Sequence, residues 1–404
     1  MTSKRPRRLP SRPAPPAVSA GPLSRRDFLR GAGAGGAVLG GALLTGCGIE
    51  GTKQAGSQTK DLSSKQKVVN FSNWPLYIDK NKQGEHPTLK AFEEKTGIKV
   101  HYIEEINSNA SFFAKIRPQL AAGQPCGSDI VIFTDDYAAH MIELGWTQKL
   151  DKSNIPNAEN LREALASPPY DPKRQHSLPW QSGLTGIGVN TAVTGREIRT
   201  VDELLTAPDL KGKVTLLSSM SDTMSLMLLS IGANPESFTD QQFDQALEKL
   251  KKAIESGQIR QFTGNDYAPQ LAKGNIAACF AWSGDVIQLR FDNPKIKFVT
   301  PESGAYLWSD NMQVPAHSPH KTNAEKLMNY YYDPMVAAKV AAWVNYITPV
   351  AGAQEAMKKV DPSLVDNELI FPTKETLSNA YSFKTIKWEK LEKLRERFNS
   401  VIGL

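Results

Sequence analysis

From residue 67 onward short apolar runs alternate with amphipathic stretches, and this alternation restricts the possible folds more than any other feature. "KVVNF" (67–71) reads as a strand. "HPTLKAFEEKTG" follows with Leu89 and Phe92 at helical spacing and Gly97 at its end. "IKVHYIEE" alternates like a strand, "NASFFAKIRPQLAAG" reads as a helix kinked near Pro118, and "SDIVIFT" is an apolar strand. "DDYAAHMIELGWTQKL" then reads as a helix with a glycine break. The order β-α-β-α-β-α predicts an α/β fold with a parallel sheet and right-handed crossovers.

A second α/β region follows "LPWQSGLTGIGVN". There "VDELL", "GKVTLLSS" and "DTMSLMLLSIG" read as helix, strand and helix. "TDQQFDQALEKLKKAIESG" is a long amphipathic helix with Phe243, Ala246, Leu247, Leu250 and Ile254 on one face. "NIAACFAW", "IKFVT" and "MQVP" read as strands, with a short helix in "GDVIQLRF" and a mostly helical tail from Asn323. No repeat of solenoid period occurs. The 404 residues suffice for two domains.

The formal charge of +6 suggests an anionic partner until it is located. Of 48 Lys and Arg against 42 Asp and Glu, residues 1–46 hold eight bases and one acid. The remaining 40 bases and 41 acids balance, so no nucleic acid is expected as a partner. The basic leader ends in "SRRDFLRG" (24–31), a twin-arginine pattern that implies export of a folded chain. An apolar, glycine-rich run of about 15 residues follows, shorter than a ~20-residue membrane span. "LTGC" (44–47) resembles a bacterial lipobox, in which cleavage before Cys47 leaves its thiol for lipid attachment. An uncleaved N-terminal anchor is the alternative. Residues 1–46 are therefore read as a signal peptide, and 47–67 as a polar, lipid-anchored tether. That places the protein on the outer face of the cytoplasmic membrane.

Beyond Cys47 only Cys126 and Cys279 remain, and they read as two buried free thiols. His317 and His320 are the one close histidine pair, in a Pro-rich turn without a third ligand, and read as surface. No metal or cofactor is expected. G-x-S-x-G, H-E-x-x-H and Walker sequences do not occur. S-x-x-K matches fall in the tether and in the 318–321 loop, so a lipoprotein hydrolase stays a minor alternative and no enzyme is expected.

Aromatic and acidic residues recur where strands end. Trp74 and Tyr77 follow the first strand in "NFSNWPLYID", and "TDDY" (134–137) follows the third. "WSGD" (282–285) follows "AACFA", and "YLWSD" (306–310) precedes "NMQVP". In open parallel sheets ligands bind outside the carboxyl ends of strands. Aromatic faces attract cations, and carboxylates hold ammonium groups by charge-assisted bonds. Taken singly, each tryptophan is equally explained by core packing, Asp285 by a helix N-cap, and Asp310 by a turn. Recurrence at similar topological points favours a site for a small cationic amine.

In order along the chain, "NFSNWPLYI", "FEEKTGIKV", "SDIVI", "GIGVN", "CFAWSGDV", "YLWSDNMQVP" and "VNYITPV" resemble motifs of the spermidine/putrescine-binding proteins of bacterial ABC importers. The resemblance spans residues 68–383. It implies the type II periplasmic-binding fold: two α/β lobes, each discontinuous in sequence, joined by two crossing segments near Gly183-Leu184 and Tyr306-Leu307, with a further exchange around Ala353. The first lobe is then 68–184 with 307–355, and the second 185–306 with 356–404. It further implies a ligand-binding monomer that docks on a permease powered by a separate ATPase chain.

By the same resemblance Trp74, Tyr77, Trp282, Trp308 and Tyr346 form ring platforms. Asp310 and Asp285 hold amino groups, and Thr134 and Asp136 contact ligand from the third-strand loop. The departures matter too. "SSMSDTM" offers only Asp222 where spermidine binders carry a pair of acids. Pro75 and Leu76 replace acids of putrescine binders, and Ser382–Phe383 replace a glutamine. These losses favour a dication over spermidine and leave another amine or a sugar as the alternative ligand.

Overall fold

The computed structural model describes residues 60–404. The signal peptide, the tether up to residue 59 and Cys47 lie outside the described residues. Ten strands form one sheet: β1 Val68–Asn73, β2 Lys99–Glu104, β3 Ile130–Thr134, β4 Leu178–Asn190, β5 Val214–Leu217, β6 Ile259–Thr263, β7 Ala278–Trp282, β8 Ile296–Val299, β9 Ala305–Gln313 and β10 Ala380–Tyr381. The order runs β2-β1-β3-β9-β4-β7-β5-β6, with β8 beside β4 and β10 beside β9. At one end β1 pairs in parallel with β2 and β3; at the other β5 pairs in parallel with β6 and β7. Helices connect these strands, as the alternating pattern requires.

The middle of the sheet differs in kind. There β4 and β9 run antiparallel to each other, with Gly183 opposite Trp308, Leu184 opposite Leu307 and Thr185 opposite Tyr306. The same two strands pair outward in opposite directions, β9 with β3 and β4 with β7. They cross between two α/β lobes, as the two-lobe reading expects. A third segment touches the seam through an isolated bridge at Ile347, whose N–H and C=O exchange bonds with Ser182 at 2.8 and 2.9 Å.

Neither long crossing strand is evident from local pattern. "LPWQSGLTGIGVN" carries three glycines and a proline and marks only where the second region begins, and "MQVP" is only the end of β9. Packing explains the glycines. A Cβ on Gly183 would lie 2.4 Å from the Trp308 ring, and one on Gly186 would lie 2.8 Å from the Phe298 ring. Every residue of β4 is buried, so the glycines make room for side chains rather than for a turn.

Two hydrophobic cores follow this division. One gathers β1, β3 and the helices Lys321–Tyr331 and Pro334–Val344. The other gathers β5, β7 and the helix Asp240–Glu255, which starts with a capping box between Thr239 and Gln242. That helix buries Phe243, Ala246, Leu247, Leu250 and Ala253, and the expected Ile254 is half-buried against the same core. Met357, Leu364, Ile370 and Phe371 belong to the first core, whereas Leu391, Leu394 and Phe398 belong to the second. The return to the second core thus falls after Phe371, later in the chain than the expected boundary at 355. The eight-residue helix Ala353–Val360 buries only Ala353 and Met357, and its pattern gives no hint of which core it faces.

Cys126 and Cys279 are both free, the first half-buried and the second buried. The histidine turn differs from its surface reading. His320 is buried, with Nδ1 3.0 Å from Asp129 Oδ2. Asp129 also accepts from the Asn70 backbone at 2.8 Å, the Asn70 amide at 3.1 Å and the Ser318 hydroxyl at 2.7 Å. One buried carboxylate thus ties the 318–320 turn to β1. Asp129→Ala strands several buried donors together, and we expect a loss of about 3 kcal/mol, read as a lowered urea midpoint at unchanged m-value.

Candidate functional site

All the parallel strands present their carboxyl ends to one cavity of about 280 Å³. The turn after β1 contributes Trp74 to Tyr77, and Thr134 and Asp136 follow β3. Residues 218–222 follow β5, Gly264 and Asn265 follow β6, and Trp282 with Asp285 closes β7. Trp308 and Asp310 enter from β9, and Tyr346 from the third segment at the seam. The structure brings together all ten side chains named from the sequence.

Backbone geometry accounts for several placements. Leu76 takes a left-handed φ of +57°, turning the chain so that Leu76 is 51% exposed and Tyr77 is buried. Trp180 Nε1 donates to the Tyr77 carbonyl at 3.1 Å and fixes that turn. Asn345 caps the helix Pro334–Val344 with φ +59°, a conformation asparagine tolerates, and so directs Tyr346 off the helix. Gly284 is required: a Cβ there would lie 2.5 Å from the Tyr346 ring.

Asp310 lies within β9, opposite Thr134 of β3 and Gln181 of β4, and is not a turn residue. Tyr77 donates to it at 2.8 Å and Thr134 at 2.7 Å, and Thr134 in turn accepts from Asn109 at 2.8 Å. Burial pushes the Asp310 carboxyl up to about 7, against the pull of the Thr134 and Tyr77 hydroxyls. Asp285 sits in the first turn of the helix Ser283–Asp292, whose N-cap position is Trp282. It does not cap that helix; it accepts from Tyr267 at 2.9 Å and Tyr346 at 2.7 Å. Asp222 accepts from the Thr185 hydroxyl and from Trp282 Nε1 at 2.9 Å, and Thr185 accepts from Trp308 Nε1 at 3.1 Å. Burial raises the carboxyls of Asp222 and Asp285 above their ordinary range.

The rings form a continuous wall. Tyr77 meets Tyr346 edge to face at 5.3 Å, and Trp308 meets Tyr346 at 5.5 Å. Trp282 packs against both cores, and Trp308 and Tyr77 belong to the first. The core and cavity readings of these aromatics are thus both true of the same side chains. Asp136 differs from the other acids because its Oδ2 lies 3.0 Å from Arg395 Nη2 in an ion pair. Burial still raises it, with Arg395 pulling the other way.

Sequence reasoning missed Arg395, Tyr267, Thr185 and Asn109. Arg395 lies in the C-terminal helix Trp388–Ile402 among many charges, and nothing in its spacing marks it. Thr185 lies inside the glycine-rich crossing strand. A signal for Tyr267 and Asn109 exists only in three dimensions, since both follow strand ends by several residues.

Two α/β lobes joined by crossing strands, with strand ends around a shared cavity, define a two-lobe periplasmic binding fold. The chain belongs to the bacterial extracellular solute-binding protein family, which it matches over residues 88–371. Residues 22–42 match the twin-arginine translocation signal, so the protein is exported. The spermidine/putrescine-binding periplasmic protein of Escherichia coli is 28% identical over 310 residues, 76% of this chain and 84% of that one. The putrescine-binding periplasmic protein of Escherichia coli is 29% identical over 357 residues, 83% of this chain and 91% of that one. A putative spermidine/putrescine ABC transporter structure from Listeria monocytogenes superposes with a TM-score of 0.72 at 25% identity, covering 83% of this chain and 99% of that one. The expected family resemblance is thereby shown. The protein binds a solute and is not an enzyme.

The raised Asp310 carboxyl has a definite effect on ligand-free stability. Its folded pKa exceeds the ordinary value of 3.8, so between there and about 7 the folded state holds more protons than the unfolded one. Stability from this group is therefore lost as pH rises through that window. Asp310→Asn removes the loss: the melting temperature of the ligand-free variant, relative to wild type, is expected to climb between pH 4 and pH 7 and then level off. A constant offset across that range would contradict the raised carboxyl.

Proposed function

We propose that the protein captures an elongated polyamine of the putrescine/spermidine class between its lobes and delivers it to an ABC permease. One observation carries this reading. Asp222, Asp285 and Asp310 line an aromatic cavity and take hydrogen bonds from neutral hydroxyl and indole donors, and no Lys or Arg among the described residues forms an ion pair with them. Buried carboxylates favour a charge partner strongly, and an ammonium supplies both the charge and the donors. The rings suit the methylenes between ammonium groups and the faces that ammonium groups prefer. The names of the relatives point the same way.

Acids from β9 and from the β5 and β7 loops face the same ligand. A ligand held by both lobes favours the closed arrangement by its differential affinity for it. That arrangement is what a permease, driven by an ATPase on another chain, would accept. We propose further that Cys47 carries the lipid and holds a monomer at the outer face of the cytoplasmic membrane.

Calorimetry on protein starting at residue 60, against putrescine, spermidine, sugars and amino acids, tests the ligand class. Amine binding should weaken at least about tenfold in Asp310→Asn, about 1.4 kcal/mol, although the same variant is stabilised without ligand. A response only to an uncharged ligand would sink the polyamine reading. For the anchor, Cys47→Ser in the full chain should move the protein from the membrane pellet to the soluble exported fraction. Unchanged partition would rule out the lipid.

A further inference from the structure

Arg395 is the cationic side chain among the described residues that line the cavity, where four carboxylates also lie. It pairs with Asp136 at 3.0 Å and also bonds Glu392. Its guanidinium lies over the rings of Tyr137 and Trp388, 4.8 Å from each centroid. Trp388 in turn stacks on His140 at 3.5 Å with an interplanar angle of 6°. The helix that carries Arg395 is fixed to the second core by Leu391, Leu394 and Phe398, while Asp136 starts a helix of the first. The guanidinium packs on two rings that meet edge to face, with centroids 5.2 Å apart, and is held at its edge by carboxylates, with its side chain 14% exposed.

We propose that Arg395 is a built-in cation that occupies the Asp136 corner of the cavity and thereby selects against a longer polyamine whose further ammonium would need that acid. This rests on the amine reading above. A third ammonium at Asp136 has two options. It displaces the guanidinium, which forfeits the ion pair and two cation–ring contacts. Otherwise it lies beside a fixed like charge in a partly desolvated space, where repulsion is poorly screened. Asp310, Asp285 and Asp222 carry no such internal partner and remain for the ligand. The chain itself supplies the positive charge that a longer polyamine would bring. Arg395 is in this sense a specificity residue that acts by occupying an acid.

Calorimetry at one fixed salt concentration with putrescine and spermidine is the test, on wild type and on Arg395→Gln, Arg395→Met and Arg395→Lys. Wild type should bind the diamine at least about tenfold tighter than the triamine. Gln and Met should each shift that ratio at least about tenfold toward the triamine, and Lys should keep it. Circular dichroism melts establish which variants fold. If neither neutral variant folds, the wild-type ratio still decides, because equal or tighter triamine binding by wild type overturns the proposal. An unchanged ratio in a folded Gln or Met variant overturns it too, and leaves the amine reading standing. Wild type that binds neither amine brings down both.

Discussion

The antiparallel pairing of β4 with β9 is the constraint on which the rest of the molecule depends. Each strand belongs to one lobe at one end and to the other lobe at the other, so the pair sets where the lobes meet. Placing Gly183 opposite Trp308 leaves space that any side chain would fill, and the indole lies across the strand into the cavity. The β3–β9 register beside it sets Asp310 opposite Thr134, and Asp310 accepts from the Tyr77 hydroxyl. A one-residue slip would turn both Trp308 and Asp310 to the opposite face of the sheet. Hinge, ring platform and principal acid therefore all depend on how β9 is registered against β4 and β3.

Burial of the acids runs against folding. Asp222, Asp285 and Asp310 are all pushed toward their neutral forms, and only neutral donors offset the desolvation. A chain selected for stability alone would have no reason to keep three such groups around one space. Removing a buried charge in favour of well-packed neutral groups is commonly neutral or stabilising. The electrostatic cost is consistent with a partner from outside the chain, and it marks this cavity off from the buried Asp129 cluster. There Asn70, Ser318 and His320 surround the carboxylate, which joins a turn to the sheet.

Much of this was legible in the sequence because parallel α/β architecture links position along a strand to position in space. Trp74, Thr134, Trp282 and Asp285 each follow a strand whose carboxyl end could be anticipated from its apolar run, so their convergence followed from topology. What remained hidden lay where local pattern and tertiary role part company. β4 is not marked as a strand because Gly183 and Gly186 answer to rings on β9 and β8, which no window of the sequence contains. His320 reads as surface because Asp129, its partner, is remote in sequence. Arg395 belongs to a charged helix packed on the second core, and nothing in its spacing announces the ion pair with Asp136 of the other lobe.

That contact also shows how the two ends of the cavity differ. At Asp310 the carboxylate is held by hydroxyls from the first lobe, and at Asp285 by Tyr267 of the second lobe and Tyr346 at the seam. Tyr77 and Tyr346 touch edge to face, so the two acids communicate through a pair of rings that straddles the crossing strands. At Asp136 a guanidinium from the second lobe already spans the gap. On the amine reading, a ligand that bridges Asp310 and Asp285 does for one side of the cleft what Arg395 does for the other. Each is a cation joining acids or rings across the lobes. The fixed cation lowers what the mobile one must contribute to closure, and a short ligand with two charges then suffices to complete the set.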